Sequence, residues 1–279
     1  MPTGTLLTVA PTGAELSKAA FPQLPVSPEE LVATAVECER AGAGLIHLHI
    51  RDSDGLPTLD LGYLRAAVQA VRESTDLIVQ LSTGGSVHDS LDSRLAVLDA
   101  DPDSCSLTCG TTNFGEEIFR NPWGFMSDLY VGAQEREIVP EFEIFEVGHL
   151  SALARLIGEH GLPYGGRVHV DFVLGVPGAM PGTPAALLTG VAMLPEQVTS
   201  WSATGIGRAH LPILATALAA GGHVRVGLED NVVFAAGEPV RSNAQLVARA
   251  ACLANTLQRP PMTSGQARKM LRIGDRRQR

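Results

Sequence analysis

The sequence predicts a closed (β/α)8 barrel, the TIM-barrel class, formed by residues 1–279 as one domain, and three observations predict it. Eight short segments rich in apolar and β-branched residues alternate with segments of helical periodicity, which implies parallel strands joined by right-handed crossovers. A chain of 279 residues, 45% of them hydrophobic, matches the length of one such barrel. The fingerprint G-x-G-x-x-G is missing after the first strand, which ranks the barrel ahead of an open doubly wound sheet.

Residues 5–10 read as the first strand and end in the turn Pro11-Thr12-Gly13. Ser27-Pro28-Glu29-Glu30 opens a helix, with Ser27 as N-cap, Pro28 at the first helical position and Glu30 completing a capping box. That helix runs to about Ala41 and stops on Gly42. Residues 44–52, GLIHLHIRD, form the second strand, closed by the turn-forming Asp52-Ser53-Asp54-Gly55. A helix over 61–74 leads to a strand at 77–81 and the turn Ser82-Thr83-Gly84-Gly85. A helix over 91–100 precedes a strand at 104–108, and an irregular stretch with Trp123 runs into a helix at 125–137. The fifth strand is 141–145, followed by a helix from about 148 to 160; the sixth is 167–174, followed by a helix over 184–193. The seventh strand, 199–203, ends in Thr204-Gly205-Ile206-Gly207 and leads to an Ala- and Leu-rich helix over 208–220. The last strand, 223–228, meets Glu229-Asp230-Asn231, and a helix capped by Ser242 covers 243–257.

Net charge is −9 and the pI about 5.3, which excludes a general nucleic-acid surface. The exception is the basic C-terminal tail from about residue 266, with Arg268, Lys269, Arg272, Arg276, Arg277 and Arg279. It is expected to be solvated or packed on a neighbouring subunit, without chemistry. The four cysteines, Cys38, Cys105, Cys109 and Cys252, lack metal or disulfide spacing and read as reduced thiols of a cytoplasmic protein. No signal peptide opens the chain and no apolar run has membrane-spanning length, so no membrane partner is expected.

Chemistry in such barrels sits at the C-terminal ends of the strands. Alternate residues of a strand share a face, so His47 and His49 project together. They read either as two imidazoles on one metal ion or as two partly buried core histidines. On the eighth strand, period two puts His223, Arg225, Gly227 and Glu229 on one face, and in a closed barrel Glu229 is two strands from the histidines. Two histidines and a carboxylate make a catalytic zinc set, Zn2+ being preferred over iron where no oxidative chemistry is implied; Glu229 as a mere loop acid is the alternative. Asp230 is the general-base candidate, or else a cap of its loop, and Arg225 a buried ion-pair partner that could also hold a substrate oxyanion. Ser82 and the Gly84-Gly85 turn could hold an anion or form a plain turn, and Gly205, Gly207 and Arg208 resemble a phosphate site at a helix start. Glu141 and Glu143 share the inward face of the fifth strand, and Glu15 stands beyond the first strand at the same rim. An amidohydrolase-type metal hydrolase is a rival, but its H-x-H would lie on the first strand, and here only His169 offers a further ligand histidine. A barrel that merely binds a small acid is the other rival.

Together these residues carry a specific resemblance. The motifs T-G-A-E (12–15), L-P-x-x-P-E-E (24–30), I-H-L-H-I-R (46–51), S-T-G-G (82–85), G-T-x-N-F-G (110–115), P-E-x-E (140–143), F-V-L-G-V-P-G (172–178), G-I-G-R (205–208), E-D-N (229–231) and S-N-A-Q-L-V-A-R-A (242–250) resemble the β-keto acid cleavage enzymes from about residue 6 to 270. The resemblance implies a zinc-dependent acyltransferase that converts a β-keto acid and acetyl-CoA into acetoacetate and a new acyl-CoA, assembled as a homotetramer. It implies zinc on His47, His49 and Glu229, Asp230 as base, and Ser82, Glu143 and Arg225 assisting. It places Glu15 where an ammonium of an amino-substituted substrate would sit, Thr83, Gly85, Ser106 and Asp171 about the substrate, and the CoA phosphates at Gly205, Gly207 and Arg208. Ser106 stands where a threonine is expected, and Asp171 where an amide is, so the two bear on which β-keto acid is taken.

Overall fold

The computed structural model describes residues 4–276. Eight parallel strands close into a barrel: β1 (Leu7–Val9), β2 (Leu45–Leu48), β3 (Ile78–Leu81), β4 (Ser104–Thr108), β5 (Val139–Ile144), β6 (Val168–Leu174), β7 (Val198–Gly205) and β8 (His223–Val226), each paired with its sequence neighbours and β8 with β1. Around them lie α1 (Pro28–Ala41), α2 (Leu61–Ser74), α3 (Leu91–Ala96), α4 (Trp123–Glu135), α5 (Val147–His160), α6 (Pro184–Ala192), α7 (His210–Ala219) and α8 (Asn243–Thr256). The TIM-barrel expectation holds. Among the described residues, no helix is long and apolar enough to cross a membrane.

The sequence signals that set the helices work as read. Ser27 and Glu30 form the reciprocal capping box of α1, and Gly42 ends it at φ 113°. Ser242 caps α8 by accepting from the Gln245 amide. Two elements are shorter than expected: α3 tightens into a 3-10 turn after Ala96, and α7 begins only after a 3-10 turn at Gly207–Ala209. The H-x-H strand is also not continuous. Barrel pairing stops at Leu48, and Ile50–Arg51 turns away into a hairpin with Pro57–Thr58, held by Asp52 accepting from the Asp54 and Leu56 amides.

Packing verifies the inward parity. Leu7, Val9, Ile46, Leu48, Val79, Leu81, Phe142, Phe172, Val224 and Val226 join the large core between barrel and helices. The alternate positions face inward, and they change character with height. At the bottom, Leu6, Leu45, Ile78 and Val139 form an apolar floor. Above it the inward rows are polar: Gln80, Ser104, Glu141, His169 and His223, then Ser106, Glu143, Asp171, Ser202 and Arg225, all buried.

The floor is sealed by a ninth helix, α9 (Ser264–Leu271), whose Ala267 and Leu271 pack with Met262 and Ile273 against those four residues. The basic segment is therefore not a solvated tail over its described part. Arg268 is buried, donates to the Leu77 carbonyl, and pairs with Asp103 at 2.8 Å; Asp103 in turn accepts from the Val79 amide at 3.0 Å. Arg276 pairs with Asp101 and donates to the Arg136 and Glu137 carbonyls. Sequence periodicity over so short a helix is weak, and six cations in a cluster mask it. Arg277 and Arg279 lie outside the described residues. The cysteines are unpaired, with Cys252 exposed and the others buried.

Removing Arg268 leaves the Asp103 carboxylate buried, with the Val79 amide bond and, among the described residues, Arg72 at 3.6 Å as its remaining cation. Arg268→Met is expected to destabilise the fold by about 3 kcal/mol in urea titration, the range for breaking a buried pair. A change under about 0.5 kcal/mol, the level of ordinary surface substitutions, would mean the segment is not part of the fold.

Candidate metal centre and its cavity

His47 and His49 come together with Glu229, their donor atoms all within 4.8 Å of one another. Nε2 of His47 is 3.9 Å and Nε2 of His49 3.6 Å from Glu229 Oε1. Gln80, on the neighbouring strand, lies 2.6 Å from His47 Nδ1 through its side-chain oxygen, and its amide nitrogen donates to Ser104. That bond places the ring proton on Nδ1 and leaves Nε2 free as a donor to a metal. Burial, followed by the charge of Arg225, lowers His47 to about 3, and burial also lowers His49, so both imidazoles are neutral. Burial alone would raise Glu229, but the charge of Arg225 and the hydrogen bond from it take it to about 2, so it is ionised. Glu229 Oε2 is buried with no protein partner. Two neutral imidazoles, an ionised carboxylate and an unpartnered buried oxygen fit a three-ligand metal site with an open position.

Glu229 does not arrive by strand parity as expected. β8 ends at Val226, and 228–230 form a turn in which Asp230 and Asn231 amides both donate to the Gly227 carbonyl. Gly227 makes the turn possible: a Cβ there would stand 1.9 Å from the Ala10 carbonyl oxygen. The turn is pinned to β1 by the Glu229 amide donating to Ala10, and to α8 by Asn243, which accepts from the Leu228 amide and donates to Pro11. Gly13, at φ +66°, gives the Glu229 side chain room to lie across the end of β1.

Arg225 is the counter-ion of this end of the barrel. Its Nε and a terminal nitrogen bind both oxygens of Asp230, at 3.1 and 2.9 Å. The same nitrogen donates to Glu229, and the other reaches Glu143 at 3.3 Å. Thr108 completes Glu143 with a hydroxyl bond of 2.8 Å. Burial would lower the Arg225 pKa, yet Asp230, Glu229 and Glu143 raise it well above the ordinary value, so it stays charged. Asp230 is raised by burial, which Arg225 only partly opposes; a carboxylate poised this way, beside a metal site, can exchange a proton near neutrality.

These residues open onto a cavity of about 640 Å3 lined also by Ser82, Gly85, Glu15, Gly207 and Arg208. Glu15 and Arg208 are exposed at its rim. Thr83, Ser106 and Asp171 do not line it. Thr83 is spent on Ser106, whose carbonyl accepts its hydroxyl at 2.7 Å. Asp171 is level with its register partner Glu143, but its oxygens are taken by Ser202 and Thr204 at 2.8 and 2.7 Å, and burial raises its pKa. Of the expected phosphate turn, Gly205 is the last residue of β7, and the Gly207 amide is donated to the Asp230 carbonyl at 2.8 Å. An anion there would rest on the Arg208 side chain. His169 is one row too deep to join the metal group; it meets Ser200 at 2.7 Å and Glu141 at 3.4 Å, with the histidine lowered to about 3 and the glutamate raised to about 8, both chiefly by burial.

Several positioning residues were given no role from the sequence, although Arg51 and Asn243 stand within the motifs at 46–51 and 242–250. Besides Gln80 and Asn243, Arg51 donates to the carbonyls of Gly13 and Leu16, fixing the loop that carries Glu15. Arg94 donates to Thr83, Arg120 and Asn121, and so ties the Ser82–Gly85 turn to the 112–119 hairpin.

Comparison with known proteins extends over the same residues. The beta-keto acid cleavage enzyme family matches residues 5–273. The chain is 36% identical over 270 residues to the 3-keto-5-aminohexanoate cleavage enzyme of Acetoanaerobium sticklandii, covering 96% of this chain and 98% of that one. It is 32% identical to the 3-oxoadipate:acetyl-CoA acetyltransferase of Cupriavidus necator, covering 95% and 94%. Among solved structures, that titled "Apo structure of ObcA" has the same fold, with a TM-score of 0.75 at 22% identity, over 91% of this chain and 66% of that one. With its metal-capable triad, its Arg225–Asp230 pair and a family match that runs through every barrel strand, this chain belongs to the beta-keto acid cleavage enzyme family.

Proposed function

We propose that the protein is a zinc-dependent acyltransferase that converts a β-keto acid and acetyl-CoA into acetoacetate and a new acyl-CoA. The observation that carries this reading is one cavity in which the triad His47, His49 and Glu229 adjoins a buried carboxylate, Asp230, held by Arg225. The named activities of the relatives, cleavage of a keto acid and transfer to acetyl-CoA, are of the same kind. Zinc, when bound, supplies Lewis acidity to the keto group and acidifies the carbon between it and the carboxylate.

Asp230 takes the proton from that carbon, and Arg225 keeps the base aimed by holding both its oxygens. The resulting enolate carbon attacks the acetyl thioester and expels CoA thiolate. The thiolate then adds to the original keto carbon, and the carbon–carbon bond to the acetylated fragment breaks. Asp230 returns its proton to that fragment, which leaves as acetoacetate, and the acyl chain leaves on CoA. Ser82 and Arg225 face the cavity as donors for the oxyanions of the two addition steps. Glu143 holds Arg225 from below. Glu15 and Arg208 line the cavity at its exposed rim, where Arg208 would meet the CoA phosphates and Glu15 the ammonium of an amino-substituted acid such as 3-keto-5-aminohexanoate, if that group reached the rim.

Zinc-loaded protein given acetyl-CoA and a panel of β-keto acids should release acetoacetate and lose that activity on chelation; no acetoacetate from any acid rejects the reading. Asp230→Asn should lower kcat by about 10²–10⁴ with zinc content unchanged, the range for a general base. Retained turnover would move the base elsewhere. Gln80→Leu should weaken zinc binding by about 10–100-fold in chelator competition, because Nδ1 of His47 loses its partner. Unchanged affinity would show that Gln80 does not orient the ligand.

A further inference from the structure

The cavity has two unlike halves. On the β8, β1 and β2 side stand the metal-capable triad and Asp230. On the β4 to β7 side the wall is Phe114, Phe119, Phe145, Val173, Val176 and Ile206. Phe145 is two residues beyond Glu143, and Val173 two beyond Asp171, so both continue the inward rows of β5 and β6. The acid layer is therefore roofed on that side by an aromatic layer; the apolar residues of the opposite half, Leu16, Leu228, Val232 and Val233, bring no aromatic ring. Phe145, Val173 and Val176 form a separate small cluster, with Phe114 and Ile206 packed on it.

The three phenylalanines hold one another, with ring centroids 6.2, 6.5 and 6.4 Å apart in tilted and edge-on contacts. Phe119 is also fixed by the Arg94 guanidinium, 4.7 Å from its ring centre, and its edge abuts Gly84, two residues from Ser82. The wall is built from rings packed on one another, and it starts next to the Ser82 turn. It is also the closed end: Phe119 is 7% and Phe145 5% exposed, whereas Gly207 and Arg208 are exposed at the rim. The charged nucleotide of CoA has to remain at that rim, which leaves the closed end to the tail of the keto acid.

Resting on the acyltransferase reading above, we infer that the aromatic wall receives the acyl chain of the β-keto acid, and that the preferred substrates carry a neutral, apolar chain. A charged tail would lose its water there and find no partner. Glu15 does not offset this, because it is exposed and its pull on a cation is screened.

The test compares 3-oxohexanoate and 3-oxooctanoate with the anionic 3-oxoadipate and the cationic 3-keto-5-aminohexanoate, on zinc-loaded protein with acetyl-CoA. The neutral acids should lead, and kcat/KM should rise about fourfold per added methylene, roughly fifteenfold from the first to the second. Calorimetry without acetyl-CoA should give the same order of affinities and a more negative heat-capacity change for the longer acid. Phe114→Ser, at a half-buried position, should remove most of the chain-length gain, with the loss falling on the keto acid and not on the KM of acetyl-CoA. Phe114→Leu should restore it. Turnover led by either charged acid, or a Phe114→Ser effect confined to the KM of acetyl-CoA, overturns the inference while leaving the acyltransferase reading standing. No acetoacetate from any acid removes both.

Discussion

The Arg225 guanidinium is the interaction on which the upper half of the barrel depends. Three carboxylates converge on it, from Glu143 on β5 and from Glu229 and Asp230 in the turn after β8. Each is buried or nearly so, and none could remain ionised in that position without a cation. Replacing the cluster with apolar side chains would stabilise a barrel as such, so its presence is a cost accepted for the site. Because the guanidinium is planar and bidentate toward Asp230, it also sets the direction in which that carboxylate can act.

Below this cluster the interior is graded. The bottom row is apolar and sealed by α9; above it neutral His169 stands beside a Glu141 that burial raises to about 8, and Asp171, level with Glu143, accepts from two hydroxyls. Ionised groups are confined to the level where they meet one another.

Much of this was legible in the sequence, for identifiable reasons. Strand–helix alternation predicts the barrel because each βα unit carries its own periodicity and caps, as Ser27, Glu30 and Ser242 show. His47 and His49 were readable because period two holds over residues 45–48 and the next inward position survives the break at His49. Glu229 was found for a partly wrong reason, since the turn built on Gly227, not the strand, aims it. Depth was not legible. Parity assigns a side chain to the inside but not to the cavity, and Asp171 and Ser106 are used in bonds to Ser202, Thr204 and Thr83 instead of lining it. Gln80, Arg51, Arg94 and Asn243 are single polar residues whose roles arise only from contacts between distant segments. The basic C-terminal segment was misjudged because its charges conceal the few apolar residues that plug the floor.

The double hydrogen bond of Asn243 to Leu228 and Pro11 has a temporal side as well. It bridges the exits of the last and first strands across the seam where the barrel closes. The histidines come from the first fifth of the chain, whereas Glu229, Asp230 and the residue that locks their turn come from its final fifth. These are contacts of high sequence separation, and their loop entropy is overcome only when the seam shuts. A ribosome-bound fragment that already has most of its strands thus holds two imidazoles without a third donor. The third donor joins the two imidazoles only when the first and last strands of the barrel meet.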